Sequence, residues 1–172
     1  MPIYALGDTV PVIHSTAYVH PDAVVIGEVT IGAEATVWPC AVLRGDYGPI
    51  TVGARTSVQD GAVLHSTAEL ETIIGKRCVI GHLAHLEGCR VGDDCLIGSG
   101  SVVLHRAVIE SGALVGAGAV VPNGTLVPSF AMALGVPARI RENAVAAGAF
   151  AENVDNYVRN GRRFAAQLRR ID

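Results

Sequence analysis

Val19, Val25, Ile31, Val37 and Leu43 stand six residues apart, and after a three-residue insertion Val52, Val58 and Leu64 keep the same step. From Val91 the series resumes as Ile97, Val103, Ile109, Val115, Val121 and Val127. A period of six belongs neither to an amphipathic helix nor to a strand with alternating faces, so the repeating unit is larger than one strand. A prism of parallel strands satisfies it. Each hexad supplies a short strand and a corner, with the branched residue pointing inward and a small residue four positions later, such as Ala41, Ala62, Ala113 or Ala119, fitting the bend. Three hexads close a coil of roughly 18 residues, and coils stack at the strand spacing of about 4.8 Å.

Composition agrees with a core of that kind. The chain has 172 residues, 50% hydrophobic and 17% charged, which suits one compact domain, and its aromatics are only 5%, so the interior must be built from small and branched side chains. A formal net charge of -3 gives no concentrated basic surface for nucleic acid or an anionic membrane. Arg159, Arg162, Arg163, Arg169 and Arg170 gather near the end, where a solvated helix face accounts for them. No Lys or Arg precedes the first apolar residues, no run approaches the ~20 apolar residues of a membrane span, and Cys40, Cys78, Cys89 and Cys95 show no CxxC spacing. The expectation is a cytoplasmic protein with reduced cysteines.

Three irregularities break the repeat. RGDYGPI, Arg44 to Ile50, and HSTAELET, His65 to Thr72, push loops out of the prism, and loops on a rigid scaffold are where function usually sits. The third is a slip in register: Ile80 and Val91 are 11 residues apart, one short of two hexads, and the slip falls inside GHLAHLEGC. After Val127 the repeat fades through PSFAMALGVPARIR. Val154, Tyr157, Val158, Gly161, Phe164, Ala165 and Leu168 then share one helical face within about Ala151 to Arg169. The expected organisation is a repeat domain over residues 1–141 and a capping helix over 142–172, in one structural unit.

Stacking brings distant polar residues together. With the loops set aside, Leu43 lies under Leu64, which lies under the position near His85. Arg44 and His65 occupy equivalent corners, with Leu86 and Glu87 one coil further on. His82 belongs to the preceding corner, shared with Val58, Gln59 and Asp60. Corners of one prism are too far apart to share an ion, so His82 could join His65 and Glu87 only through another copy of the chain, and threefold closure is the simplest arrangement. His85 is inward-facing when counted back from Val91 and at a corner when counted from Ile80; it is either an alternative ligand or a hydrogen-bonded structural histidine. His105 stands 18 residues after Glu87, so a Glu87–His105 pair is a rival use of the carboxylate.

AVLRGDYGPITVG, SVQDGAVLH and IGHLAHLEGC, in this order and separation, resemble the signature of the γ-class carbonic anhydrases, a hexapeptide-repeat family, over about Val19 to Arg141. The resemblance implies an all-β, single-domain, left-handed parallel β-helix of three-sided coils with a C-terminal α-helix packed along it. It implies a homotrimer with a zinc site at each subunit interface and reversible hydration of CO2 to bicarbonate. His65 matches the first ligand and His82 the second, supplied by the adjacent subunit. The third ligand position falls on Glu87, where the family has histidine. Arg44 and Asp46, with Asp60, match an inter-subunit salt-bridge network, and Gln59 matches the glutamine that holds the metal-bound water or bicarbonate. Tyr47 stands where an acidic residue is found in the best-characterised archaeal form, and Glu69 and Glu71 are candidate proton shuttles on the shortened second loop.

Two histidines and a glutamate form an acceptable zinc set, and three protein ligands with an open position suit hydration chemistry. The glutamate's negative charge would weaken the metal's acidity and could shift preference toward iron or cobalt, or leave a metal-free form. Two other functions compete: a coenzyme A-dependent acyltransferase, common among hexapeptide-repeat proteins, and a scaffold or regulatory trimer that keeps the fold without the hydratase.

Overall fold

The computed structural model describes residues 2–172 and is a left-handed β-helix whose three faces are built from short parallel strands. One face stacks Tyr18–Val19, Thr36–Val37, Ser57–Val58, Val79–Ile80, Leu96–Ile97, Leu114–Val115 and Met132–Leu134. The second carries the Leu43, Leu64, Leu86 and Val103 column, and the third the Val52, Ile74, Val91 and Ile109 column. The hexad residues point inward: Val25, Leu43, Leu64, Leu86, Val103 and Val121 are all fully buried. Each such side chain contributes about 1.5–3 kcal/mol by leaving water, and the stack of coils makes them one continuous core.

Coil length is uneven, and the unevenness is confined. The pairing of Leu96 with Leu114 spans a regular coil, but Thr36 pairs with Ser57 and Ser57 with Val79 across longer coils, while Val79 pairs with Leu96 across a coil one residue short. All three departures lie between the second and third faces: nine residues separate Leu43 from Val52, ten separate Leu64 from Ile74, and only five separate Leu86 from Val91. The strands Val24–Ile31 and Val42–Val52 run around this corner without a break, which joins the two faces into one 12-stranded sheet.

The C-terminal helix, Ala151–Gln167, lies against the first face. Val154, Val158 and Gly161 are its buried residues, in agreement with the predicted apolar face. Trp38 anchors it, with ring centres 5.1 Å from Phe164, 6.2 Å from Tyr157 and 5.7 Å from Tyr18, while its indole N–H donates to Thr36 Oγ1 and Ser57 Oγ. Arg55 bridges to Asp155 at 2.6 Å, and Arg162 pairs with Glu34. Before the helix, Arg139–Arg141 folds back antiparallel on Met132–Leu134, a hairpin the fading repeat gave no sign of. No helix among the described residues is long and apolar enough to cross a membrane.

Candidate functional site

The corner between the second and third faces collects the polar residues. Arg44 pairs in register with His65, and His65 with Glu87, so three side chains from three coils stand above one another. Inward-facing Leu43, Leu64 and Leu86 precede them in the strands, which forces Arg44, His65 and Glu87 outward by strand alternation. Thr72, fully buried at the foot of the second loop, ties the stack together: its hydroxyl donates to the His65 carbonyl and accepts from the Gly88 N–H at 2.8 Å. At Gly88 the chain takes φ +58, and a Cβ there would stand 3.0 Å from both His105 Cδ2 and Leu70 Cβ, so glycine lets the short coil close against its neighbours.

His65 lies between two carboxylates. Its Nδ1 is 2.7 Å from Glu87 Oε1 and its Nε2 is 3.0 Å from Asp46 Oδ1; Asp46 in turn is paired with Arg44. Both ring nitrogens thus face a carboxylate oxygen, and a neutral imidazole can donate to only one of them, so a metal bound at the other nitrogen would take the place of that contact. Burial alone would raise the Asp46 carboxyl, but the His65 hydrogen bond and Arg44 outweigh it and hold the group below its ordinary range. Glu87 behaves alike: against the effect of burial, the His65 hydrogen bond and the charges of His65 and His105 lower it.

Glu87 is also 3.3 Å from His85 Nε2 and 3.6 Å from His105 Nε2, so the rival Glu87–His105 pairing is an electrostatic approach without a hydrogen bond, beside the closer contact to His65. His85 corrects both readings of its position. It is neither inward nor at a corner but projects outward from the strand His85–Glu87, because the register slip falls after Leu86. His82 is on the corner between the first and second faces, stacked above Asp60 and 2.9 Å from it, with both side chains half exposed. Asp60 therefore pairs within the chain here, as Arg44 does with Asp46. Gln59 is 3% exposed at the same corner. Glu71 pairs with Arg90, and it lines a cleft of about 290 Å³ with Glu69, Gly88 and Arg106 beside the Glu87 corner.

Among the described residues, no group of three or more His, Cys, Asp or Glu side chains of one chain is arranged to hold a metal. His65 and Glu87 offer two donors on one edge, and His82 offers a third on another edge of the prism. The donor types fit a zinc site of two imidazoles and a carboxylate only if the third comes from a second copy. Thr72 and the Asp46–His65 contact escaped the sequence reading. The register of Arg44 with His65 was a signal for the second, since it carries the RGD loop over the imidazole.

The family profile for the bacterial transferase hexapeptide, six repeats, matches residues 11–45, 71–105 and 88–123. Among solved structures, a hexapeptide transferase family protein from Anaplasma phagocytophilum is 33% identical, with a TM-score of 0.89, over 95% of this chain and 98% of that one. The product of the BC4754 gene of Bacillus cereus, provisionally named an acetyltransferase, is 32% identical with a TM-score of 0.92 over 96% and 98%. Perosamine N-acetyltransferase from Caulobacter crescentus, solved as a histidine-to-asparagine mutant in complex with CoA and GDP-perosamine, is 26% identical with a TM-score of 0.56 over 77% and 57%. The carnitine operon protein CaiE of Escherichia coli K12 is 47% identical over 96 residues, 56% of this chain. The chain spans about half the length of the curated relatives it matches.

Proposed function

Because the chain belongs to the bacterial transferase hexapeptide family, its fold is not in question, and we propose that it works as a γ-carbonic anhydrase-like homotrimer hydrating CO2 at an inter-subunit metal site. His65 and Glu87 of one subunit and His82 of the partner subunit would hold the metal, with zinc the first expectation. The observation that carries this reading is the splitting of the donors: His65 and Glu87 converge at 2.7 Å on one edge, while His82 stands half exposed on another. Within a single chain the two edges cannot share an ion. A threefold assembly brings one edge of each subunit against another edge of the next.

A zinc ion in a three-ligand open site supplies hydroxide near neutral pH, the nucleophile that CO2 hydration requires. The chain's own residues then have separate tasks. Asp46, held by Arg44, faces His65 Nε2 and orients the ring. Thr72 keeps the His65 and Glu87 strands in step. Gln59 would hold bicarbonate or its precursor water by its amide, and Glu69, or Glu71 once released from Arg90, would carry the proton outward through the adjoining cleft.

A second reading, coenzyme A-dependent acyl transfer, has an observation of its own in the likeness to perosamine N-acetyltransferase bound to CoA. A third is a trimer that keeps the fold as a scaffold. Metal analysis of protein purified without chelators, joined to a CO2 hydration assay, separates them. The hydratase reading expects bound metal and measurable hydration; a metal-free, inactive trimer under aerobic and anaerobic handling would sink it. Acetyl-coenzyme A raising the melting temperature where zinc does not would move acyl transfer ahead.

A further inference from the structure

Two large apolar side chains stand in solvent immediately beside the candidate ligands. Tyr47, on the Arg44–Ile50 excursion, is 68% exposed and lies edge-on to His65 with ring centres 6.5 Å apart. Leu83 follows His82 and is 71% exposed. Its backbone is left-handed at φ +58, in a corner column where the coils below and above place Gly61, Gly100 and Gly118. A leucine is an unfavourable choice for such a conformation, and its side chain reaches over Gly61 toward water rather than into the prism.

We propose that Leu83 of one copy of this chain packs on Tyr47 of the next, forming the apolar contact that seats His82 beside His65. The proposal rests on the trimeric reading above and names the surface that builds it. The occupant follows from the site itself. His65 and Glu87 are incomplete without a donor from elsewhere, and an edge that brought His82 to His65 would carry Leu83, one residue on, toward Tyr47, which lies beside His65. Each edge also presents an exchangeable ion pair, half-exposed Asp60 with His82 on one and the 42% exposed Arg44 guanidinium with Asp46 on the other, and assembly would let Arg44 reach Asp60. The C-terminal helix packs on the Tyr18–Val19, Thr36–Val37 and Ser57–Val58 strands of the first face and leaves both of these edges uncovered. An aromatic–aliphatic contact at the rim would also exclude water from the ligand cluster, strengthening every electrostatic interaction behind it.

Sedimentation velocity across a dilution series tests the contact, using the wild type, Tyr47→Ala, Leu83→Ala, Leu83→Asp and the double alanine variant. The expected results are a wild-type trimer and a dissociation midpoint raised about tenfold by either alanine and further by the aspartate. The double alanine variant should dissociate little more than the singles, since both remove one contact. Both side chains are exposed in one chain, so far-ultraviolet circular dichroism should not change. As a second measurement, a Cys40→Ser, Tyr47→Cys, Leu83→Cys chain treated with a short bis-maleimide should give covalent dimers and trimers that neither single cysteine variant gives. A wild-type monomer would remove the trimer and this contact with it. A wild-type trimer indifferent to all four variants, or one that does not cross-link, would overturn the contact alone and leave the trimer standing.

Discussion

Replacing Glu87 by Ala removes the carboxylate at the centre of the histidine cluster, and its cost can be worked from the geometry. The 2.7 Å contact to His65 Nδ1 is a hydrogen bond to a charged group, worth about 1.5–3 kcal/mol in a site this well covered. The contacts to His85 and His105, at 3.3 and 3.6 Å with those rings about a third exposed, add a few tenths of a kcal/mol each after screening. Glu87→Ala should therefore cost about 2–3 kcal/mol at pH 7. Glu87→Gln, which keeps an amide oxygen for His65 but no charge, should cost about 1 kcal/mol. Urea unfolding with a chelator present, at one protein concentration, measures both without a metal contribution.

The pH dependence makes the test sharper. Glu87 in the folded chain is lowered from its ordinary value of 4.5, so the unfolded chain binds that proton more readily. The stability its charge contributes is present above the unfolded value and is lost as pH falls through the folded one. The wild-type advantage over Glu87→Gln should hold from pH 7 down to about pH 5 and close in more acidic solution. A gap unchanged from pH 7 to pH 3, or no gap at pH 7, would refute the idea that the histidines hold this carboxylate ionised.

Three further outcomes follow from the packing. A Cβ at Gly53 would fall 2.5 Å from the Gly75 carbonyl carbon of the next coil, so Gly53→Ala must spread the coils and should cost more than about 3 kcal/mol; at Gly118, where nothing lies within 4 Å and φ is +66, alanine should cost only about 1 kcal/mol, both read by thermal unfolding. Burial pushes the Cys89 thiol up to about 12, and Cys78 and Cys95 are enclosed, so iodoacetamide at pH 8 should label Cys40 alone in the native protein and all four cysteines in guanidinium, counted by mass spectrometry. Thr72→Val keeps the shape but orphans the His65 carbonyl and the Gly88 N–H, and should lower stability by about 2 kcal/mol in urea unfolding.

The prism was legible because its cause is local and repeated: one branched residue in six, turned inward, makes Val19 to Val127 a countable series. The capping helix was legible for the same reason, and its buried residues Val154, Val158 and Gly161 belong to the predicted face. His85 was misplaced because two counts that disagree by one residue cannot say where the missing residue is lost. The backbone settles it at Glu87–Gly88, where Gly88 takes a left-handed turn. Contacts that depend on how loops lie were out of reach. The stacking of Arg44 on His65 put the RGDYGPI loop near the imidazole without saying that Asp46 is the side chain that folds back on it, and nothing in HSTAELET says that Thr72 clamps two coils. The antiparallel Arg139–Arg141 strand also has no periodic signature, since it pairs once and with a different partner geometry.

A site shared between subunits can be tested by complementation. In His65→Ala one edge is broken, and in His82→Ala the other, so neither variant alone should retain metal or hydrate CO2. When the two are refolded together, any interface at which an intact His65 edge meets an intact His82 edge is restored. Random mixing should return about a quarter of the wild-type metal per subunit and the same share of hydration. Wild-type metal content in either variant alone, or a mixture no better than its separate components, would contradict a centre formed by His65 and Glu87 with His82 of the partner subunit.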